Sequence, residues 1–532
     1  MPLIITNSNV EITTYIEENS GTIDVQNNHT IVNVFHRQYF RPQTTNFNPT
    51  FNQMGLPYDY DYAKLIKLGL VPDTVLNAEK LKFVCYNTNL TTKYIHWNEV
   101  NYEYTSTNSL FFMYSGKYKW LTFDHSTLNT QTFLYMSLEG LNVRIINSLI
   151  NVTNTIQIST YQSYIDCDYF LPEFTGIANN FIMDNTTIIA ENKEGWDQFM
   201  HFQNHMNISI TNNRFQDMSW KDHTSIMAET FKVDCEFEPY TKIIFENNTL
   251  INPTVARQSN IYLFLSLSQQ GKTDIVIRNN FYYNVKYSTP GLFKITKASL
   301  LNANVVIENI TINNLVNSDV PIAIMTIEAE QVLFKNIKVT DSYLPRLIKL
   351  KSLHAQIETI EIINTSRTDN TKTVESIDSF VHISSSSNIQ LQDLTFTGCS
   401  FGTSQALSIY QTQNVSIARL TINDCIANFN HLLYLYIVQD LKISHLRALN
   451  IQKSTSSIVT LIQIGLISPW DQNQNGRVMA YHFQNVTFFD SEVQFMQLEG
   501  INVDEGNTNP IQVEFQGVEI SNVTLKGKEN II

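Results

Sequence analysis

The run DQNQNGRV, from Asp471 to Val478, spaces oxygen-bearing side chains as a calcium-binding loop does. Asp471, Asn473 and Asn475 alternate with other residues and a glycine follows, so three oxygens would converge on one hard cation around a sharp turn. His482 stands where such a loop carries a bidentate glutamate, and no helices are expected on either side. The alternative interpretation, which the sequence favours, is a polar turn built from Asn and Gly. Calcium is the single cofactor that the sequence suggests, and no other is expected.

Two of the five cysteines are spaced for a disulfide. An odd number of cysteines does not indicate a complete disulfide framework. Cys399 and Cys425, however, each lie ten residues after the start of a copy of the repeat described below, so we expect them to stack in neighbouring copies. In an oxidising compartment that proximity would permit a disulfide. Two buried thiols are the equally good alternative.

Eleven Asn-X-Ser/Thr sequons offer N-glycosylation sites if the protein is secreted. Their number is what the abundance of Asn, Ser and Thr would produce by chance, so position is the better guide. Sequons on the bend asparagines introduced below are set aside, because we expect those amides to bond to one another. The candidates that lie off these bends are Asn89, Asn151, Asn207, Asn364, Asn414 and Asn522.

These residues belong to a chain built from one short repeat, which is clearest between Val305 and Asp341. The decamers VVIENITINN and VLFKNIKVTD share an alternation of apolar residues, then an asparagine, then a second alternation. A period of two with many β-branched residues indicates strands and not helices. Because Asn enters the left-handed backbone region at low cost, each unit predicts a strand, a bend and a second strand.

The repeat recurs 17 times, with first residues from Leu3 to Val513 and an average spacing of roughly 32 residues. A period of this size is typical of a solenoid, in which equivalent positions of successive copies stack. The third position is apolar in every copy and the fifth is Asn in 11 copies, whereas Thr359 and Arg419 are the fifth-position residues least suited to a bend. The asparagines that we expect to form a stacked ladder are Asn147, Asn185, Asn212, Asn247, Asn279, Asn309, Asn336 and Asn485.

Two features divide the otherwise regular pattern. The sixth position is polar in the first nine copies and apolar from the copy that starts at Val305 onward. This change predicts a differently shaped bend and two sub-stacks, over residues 1–300 and 301–532. The least repeat-like stretch, about 31–82, is expected to form a lateral insertion.

The strand, Asn bend and strand pattern resembles the right-handed parallel β-helix of the pectin-lyase-like superfamily, whose members stack asparagines at one turn. The Asn- and Ile-rich, Gly-poor composition is also similar to that of large β-helical surface proteins of ciliates. The first resemblance covers the chain from Leu3 to Asn522. It implies an all-β fold, namely a single-stranded right-handed parallel β-helix solenoid with lateral loops, continuous over residues 1–532.

This resemblance does not imply one function, because the fold serves lyases, hydrolases, adhesins and inert stalks alike. The β-helical enzymes that cleave acidic polysaccharides group a cation site, a base and a general acid on one outer face. Here neither a paired Asp motif beside Gly-His-Gly nor an Arg-any-Pro-any-any-Arg run occurs. We therefore predict no catalytic residues and no enzymatic activity.

The charge balance argues against a nucleic-acid partner. The 35 Lys and Arg against 49 Asp and Glu give a net charge of -14, which is the wrong sign for tracking phosphates. No run of about 20 apolar residues, the length that crosses a membrane, is present. The first residues also lack the basic and apolar regions of a signal peptide.

The sequence favours a structural or adhesive extracellular module of a cell-surface coat or filament. We expect the module to be glycosylated. We also expect it to join copies of itself, head to tail, or further repeats of a longer chain. The reason is that the pattern continues to Asn522 without an amphipathic capping helix, and uncapped strand edges pair readily. The alternatives are a polysaccharide lyase or glycoside hydrolase of the β-helical class and a non-catalytic carbohydrate-binding module. Acidic residues in a cleft would favour the enzyme, and an exposed aromatic strip would favour the binding module.

Overall fold

A computed structural model shows an all-β chain. It describes residues 3–6, 9–15, 24–27, 30–33, 82–86, 89–96, 109–113, 120–136, 142–158, 180–191, 200–203, 207–220, 226–229, 240–251, 254–255, 263–267, 272–287, 292–297, 302–317, 323–344, 346–367, 379–384, 387–402, 405–427, 431–453, 459–465, 479–499 and 511–523. Strands and the turns between them account for all of these residues, which confirms the all-β prediction. Within the same ranges, no helix has the length and apolar character that crossing a membrane requires.

The chain divides into two compact units, which are described separately. The first comprises Met1–Ala256 and Leu263–Thr273, and the second Arg257–Tyr262 and Asp274–Ile532. The strands of the first unit are β1 (Leu3–Thr6), β2 (Asn9–Tyr15), β3 (Asp24–Asn27), β4 (Thr30–Asn33), β5 (Lys82–Tyr86), β6 (Asn89–His96), β7 (Ser109–Met113), β8 (Trp120–Asp124), β9 (Thr127–Met136), β10 (Asn142–Ile146), β11 (Leu149–Ile158), β12 (Asn180–Asp184), β13 (Thr187–Glu191), β14 (Met200–Gln203), β15 (Asn207–Thr211), β16 (Arg214–Trp220), β17 (Ile226–Glu229), β18 (Tyr240–Glu246), β19 (Thr249–Ile251), β20 (Thr254–Val255) and β21 (Leu263–Leu267).

The second unit contains most of β22 (Lys272–Arg278). Its other strands are β23 (Phe281–Tyr283), β24 (Lys286–Tyr287), β25 (Phe293–Lys297), β26 (Ala303–Asn313), β27 (Val316–Asn317), β28 (Ala323–Thr340), β29 (Arg346–Ile363), β30 (Ser379–Ser384), β31 (Asn388–Thr397), β32 (Gln405–Asn423), β33 (Ile426–Ala427), β34 (His431–Ser444), β35 (Arg447–Leu449), β36 (Gln452–Lys453), β37 (Thr460–Gly465), β38 (Met479–Ser491), β39 (Gln494–Glu499) and β40 (Ile511–Val523).

In the second unit, successive copies of the repeat pair as parallel strands in one register. Val305 in β26 lies opposite Val332 in β28, which in turn lies opposite Ala355 in β29. The later copies continue the same register, pairing Ala355 with Ile389, Ile389 with Val415, Val415 with Leu441, Leu441 with Tyr481, and Tyr481 with Val513. Equivalent positions of neighbouring copies are therefore separated by one inter-strand distance, about 4.8 Å.

The first unit shows the same parallel pairing with one exception. Leu3 in β1 pairs directly with Phe83 in β5, so the copy counted at Ile23 is not a stacking repeat. The residues after Ile23 form an antiparallel hairpin instead, in which Asn27 of β3 lies opposite Thr30 of β4. Two residues separate Asn27 from Thr30 in the sequence, which is the commonest separation between paired strands of a hairpin. Of the predicted lateral insertion, residues 34–81 lie outside the described part of the chain.

The core is lined by alternate positions of each copy, with one extra residue at the bend. In the copy that starts at Val305, the residues Val305, Ile307, Ile310 and Ile312 are at most 1% exposed, whereas Asn309 is exposed. The buried positions are two residues apart except across the bend, where they are three apart. The bend residue thus acts as a bulge that keeps the second strand's apolar face inward. Each fully buried aliphatic side chain contributes about 1.5–3 kcal/mol to stability.

Every fifth-position residue from the Leu121 copy onward has a left-handed backbone, with φ between +46° and +64°. The set includes the expected asparagines and also Thr359 and Arg419, which the sequence did not suggest. The side-chain amides of Asn185, Asn247, Asn309 and Asn336 each donate to the equivalent oxygen one copy earlier, at 2.7–2.9 Å.

Three members of the ladder bond differently. Asn147 and Asn212 donate to Asp124 and Asp184, and Asn485 contacts His445 at 3.2 Å. At Arg419 the guanidinium replaces the amide, with Nη2 donating to Asp393 Oδ2 at 2.8 Å. The hydrogen bond from Arg419 holds the pKa of Asp393 below its usual value.

A second left-handed column lies at the tenth position of the repeat. Its members in the second unit are Asn284, Asn314, Asp341, Asn364, Gly398, Asp424, Asn450 and Asp490. Asn314 donates to Asn284 at 2.6 Å and Asn450 donates to Asp424 at 2.7 Å, so this column is also laddered. A Cβ added at Gly398 would lie 2.6 Å from Asn364 Oδ1, so glycine is required there for both its backbone angle and its space.

The sixth position gives the bends of the two units different interiors. In the first unit it is filled by buried polar residues, and the backbone N–H groups of Thr186 and Asn213 donate to the side-chain oxygens of Asn213 and Asn248, both at 3.0 Å. From the Val305 copy onward it is aliphatic, and strands such as β28 and β29 run through the bend without interruption. His445, which separates β34 from β35, is an exception. The copy at Ile275, in the second unit, keeps the polar residue Asn280.

Candidate functional site

An open groove crosses the beginning of the repeat in the second unit. It passes over seven successive parallel strands, namely β26, β28, β29, β31, β32, β34 and β38, and has a volume of about 680 Å³. Six inter-strand steps make it about 29 Å long. We call this feature the amide groove, because amide side chains recur along it.

Three positions of the repeat line the amide groove. The first position runs beneath the groove, and its side chains belong to the core; the residues are Val305, Val332, Ala355, Ile389, Val415 and Leu441. The residue before the first position supplies Asn304, Gln331, His354, Asn388, Asn414, Asp440 and Ala480. The second position supplies Val306, Leu333, Gln356, Gln390, Ser416, Lys442 and His482. The surface of the groove is therefore mainly neutral and polar, with Val306 and Leu333 as half-buried aliphatic members.

The charges of the lining residues balance. Asp440 and Lys442 carry opposite charges, and His354 and His482 are the other titratable residues of the lining. His482 Nδ1 lies 3.0 Å from Glu514 Oε2 on the neighbouring strand β40. The groove thus has no excess charge that would attract a polyanion or a polycation.

Side chains along the groove bond to one another from strand to strand. Asn414 Nδ2 donates to Asn388 Oδ1 at 2.7 Å, and Asn388 Nδ2 lies 3.2 Å from His354 Nδ1. An amide that uses one hydrogen in this way keeps its second hydrogen and further lone pairs on its oxygen. The groove therefore presents donors and acceptors at the spacing of the strands.

A second surface is formed by β40, whose inward positions are uncovered. Phe515 and Ile520 are 44% and 42% exposed, although their register partners Phe483 and Phe488 in β38 are 1% and 0% exposed. The Phe483 and Phe515 rings stack with centroids 5.1 Å apart. Every register pair that the described residues give β40 is with β38. Core positions of the repeat are thus presented to solvent on this strand.

The predicted calcium site lies outside the described residues, since Asp471, Asn473 and Asn475 fall between 465 and 479. Within the described ranges, no three His, Cys, Asp or Glu side chains are grouped to hold a metal ion. Calcium binding at Asp471 stays a prediction.

Cys399 and Cys425 occupy equivalent positions of neighbouring copies. Ser400 forms a parallel bridge with Ile426, and Thr397 lies opposite Asn423, which places the two cysteines in register between these pairs. Both are buried, free thiols. Each donates to backbone carbonyl oxygens, Cys399 to Ile362 at 3.3 Å and Cys425 to Asn423 at 3.2 Å. The Cys399 thiol and burial raise the pKa of Cys425, which makes this thiol a poor nucleophile.

The glycosylation candidates differ in accessibility. Asn207 and Asn414 are exposed and Asn151 is half-buried, whereas for Asn89 and Asn522 the structure describes the backbone alone, in β6 and β40. Asn364 belongs to the second left-handed column, where its Nδ2 donates to Asp341 Oδ1 at 3.3 Å. The criterion that set aside the bend asparagines therefore removes Asn364 as well, and it also removes Asn414, whose Nδ2 donates to Asn388 Oδ1 at 2.7 Å.

Sequence reasoning missed the amide groove. A weak signal for the groove was present, because Asn304, Asn388 and Asn414 all stand immediately before the first position of a copy. Alternation alone predicts an outward polar residue at these positions, and it does not distinguish a concave surface from a convex one.

Comparisons with protein-family models, with curated proteins and with solved structures found no match for this chain. The function must therefore be argued from the described residues themselves.

Proposed function

We propose that this chain is a structural or adhesive module of an extracellular coat or filament, and that copies join end to end through β40. The observation that carries the proposal is the exposure of Phe515 and Ile520 at positions that are buried in the preceding copy. An added strand in the same register would bury both side chains and complete the stack. Because Phe515 and Ile520 are already more than half buried, completing their burial contributes roughly 1 kcal/mol each.

The added strand is assigned to a second copy of this chain. β40 can pair with a parallel strand that has the same alternation. β1 of a second copy is such a strand, because the register pairs of β1 are all with β5, along one edge. A heterologous contact of this kind repeats without closing and so produces a filament.

The finer fold that we propose is a single-stranded right-handed parallel β-helix, as in the pectin-lyase-like superfamily. It is supported by the parallel pairing of each copy with the next in one register, from Val305 to Val513 in the second unit. Such stacking is how a solenoid buries an inner face that no single copy could bury alone.

A scaffold role agrees better than catalysis with the charged side chains described here. Acids on β29 pair with bases of the preceding copy on β28, namely Glu358 with Lys335 at 3.2 Å and Glu361 with Lys338 at 3.4 Å. These carboxylates and their partners are arranged along the stack and do not converge on one point. Structural ion pairs across strands are a sufficient account of them.

The assembly is tested by sedimentation of purified protein over a wide concentration range. We expect the wild type to form oligomers that grow with concentration and the Phe515→Asp variant to remain monomeric, because a carboxylate would be buried in the contact. Phe281→Asp is the matched control, since Phe281 is 39% exposed and lies on β23, away from β40. A monomeric wild type, or equal assembly of the Phe515 and Phe281 variants, would overturn the proposal.

A further inference from the structure

We propose that the hairpin of β3 (Asp24–Asn27) and β4 (Thr30–Asn33) is an autoinhibitory latch on end-to-end assembly. It occupies part of the strand edge that β40 of a second copy must reach. This inference rests on the proposed function and adds to it the regulation of the same junction. It is supported by the pairing of the first strands, the register of the junction and the small extent of the latch contact.

The latch covers the outer edge of β2. Glu11 pairs in parallel with Thr91 of β6 and antiparallel with Gln26 of β3, and Ile12 also pairs with both strands. Because one edge of a strand pairs with one partner at a given residue, β6 and β3 must lie on opposite edges of β2. β6 belongs to the next copy in the stack. β3 therefore takes the edge that faces away from the stack.

The outer edge of β1, in contrast, is open. Every register pair that the described residues give β1 is with β5. Within the same part of the chain, the register pairs between β2 and β3 are limited to Glu11 and Ile12. Covering an edge with another element is a common way in which proteins prevent their strands from pairing with other chains. This end of the stack is thus half covered.

The register of the stack aligns the first half of β40 with the open strand. Val513 and Leu3 are the first positions of the last and the first copy, so continuing the parallel register by one step places them opposite each other. Counting along both strands then places Phe515 opposite Ile5. β1 can therefore receive this half of β40 without displacing another strand.

The second half of β40 competes with the latch. The same count places Ser521 and Asn522 opposite the two residues of β2 that pair with β3. β40 and β3 cannot both pair with that edge. Ile520 falls opposite Val10, one residue before the occupied pairs. Complete pairing of this half of β40 therefore requires that the latch leave β2.

The contact that holds the latch is small enough to open. Among the described residues, two register pairs join β3 to β2, whereas four join β3 to β4. The two latch strands can therefore leave β2 together and keep their own pairing. Loss of one or two backbone hydrogen bonds shifts an equilibrium by about tenfold. The latch thus raises the concentration at which copies join and does not prevent their joining.

Loosening the latch should promote assembly, which sedimentation over a range of protein concentrations measures. Proline in β3 cannot donate a hydrogen bond to either neighbouring strand, so Gln26→Pro should release the latch from β2. We expect this variant to assemble at a concentration about tenfold lower than the wild type does. Adding Phe515→Asp should return the variant to a monomer, because the released edge is assigned to β40.

A reversible lock should produce the opposite change. Ile12 and Val25 lie directly opposite each other, so cysteines at both positions can form a disulfide that fixes β3 on β2. The oxidised double variant, Ile12→Cys with Val25→Cys, should require a concentration about tenfold higher than the wild type, and reduction should restore wild-type assembly. Wild-type protein taken through the same oxidation and reduction is the control for the native cysteines.

The outcomes distinguish the latch from the assembly itself. Equal assembly by the wild type, Gln26→Pro and the oxidised double variant would overturn the latch and leave end-to-end joining intact. Assembly of Gln26→Pro that persists after Phe515→Asp is added would also overturn the latch, because the released edge would then have a partner other than β40. Protein that stays monomeric in every variant, including Gln26→Pro, would overturn both the latch and the proposed function.

Discussion

Thr359 is a β-branched residue in a left-handed bend, with φ of +55°. A side chain with a branched Cβ is strained there by roughly 1–2 kcal/mol, whereas Asn adopts the conformation more readily. Asn336 precedes it in the bend column and Asp393 follows it. We expect Thr359→Asn to raise the free energy of unfolding by about 1 kcal/mol, measured by denaturant titration.

The reverse substitution provides the control. Asn309→Thr should lower the free energy of unfolding by about 2 kcal/mol, because it adds the strain and removes the amide bonds to Asn279 and Asn336. If both variants were as stable as the wild type, the bends would not impose the strain that we assign to them.

His431 makes the stability of the second unit dependent on pH. It is 7% exposed and its Nε2 lies 2.8 Å from Gln405 Nε2, and burial lowers its pKa to about 4. In the unfolded chain the pKa is near 6.5, so between these values the unfolded state binds a proton that the folded state does not. The stability that the neutral His431 contributes to the folded state is present in full at pH 7 and is lost as the pH falls toward 4.

The lowered pKa of His431 predicts a loss of about 2 kcal/mol in the free energy of unfolding between pH 7 and pH 5. Urea unfolding of the wild type and of His431→Gln at both pH values measures it, since Gln does not titrate. The variant should show a smaller decrease than the wild type. Identical pH dependence in the two proteins would assign the effect to other groups.

In the strands, the residue at the sixth position of the repeat determines whether the interior of a bend is polar or apolar. In the first unit, Asn213 Nδ2 donates to Met183 O at 3.0 Å and its Oδ1 accepts from Thr186 N. Replacing it by Leu would leave buried polar groups unpaired, so Asn213→Leu should lower the free energy of unfolding by about 2–4 kcal/mol.

In the second unit, the corresponding test replaces an aliphatic sixth-position residue by a polar one. Ile337 lies opposite Ile310 and Ile360, which offer no hydrogen bond, so Ile337→Asn should also destabilise by several kcal/mol, about 2–5. Thermal or denaturant unfolding of both variants checks the pair. If Ile337→Asn were tolerated, the sixth position would not distinguish the bends of the two units.

Much of this element-level architecture could be predicted from the sequence, because it depends on local rules. Period-two alternation gave the strands, and Asn at the fifth position gave the bends, including the register that pairs Val305 with Val332. The copy at Ile23 has the same alternation, yet its two strands pair with each other, because strands only two residues apart in the sequence can pair locally in competition with stacking.

The candidate site was less predictable because it depends on the curvature of the whole surface. Gln356 and Gln390 look like ordinary outward residues of a strand, and only the three-dimensional arrangement shows that they border a groove. The tenth-position column could have been found, since Asn or Asp recurs at Asn314, Asp341 and Asp424. The alternation pattern does not require this second bend, because one bend at the fifth position already accounts for it.

For the whole molecule, an extracellular location predicts glycans on accessible sequons. Protein isolated from its native source should carry an N-glycan at Asn207, which is exposed, and none at Asn309 or Asn414, whose amides donate to the asparagine of the preceding copy. Mass-spectrometric mapping of glycopeptides measures this. An unmodified peptide at Asn207 would argue for an intracellular compartment.

The most direct test of the proposed scaffold is electron cryo-microscopy of the wild-type protein at high concentration. We expect particles joined end to end at β40, with the inter-strand spacing of about 4.8 Å continuing through the junction and Phe515 buried within it. A strictly monomeric particle in which another element of the same chain covers Phe515 and Ile520 would contradict the account.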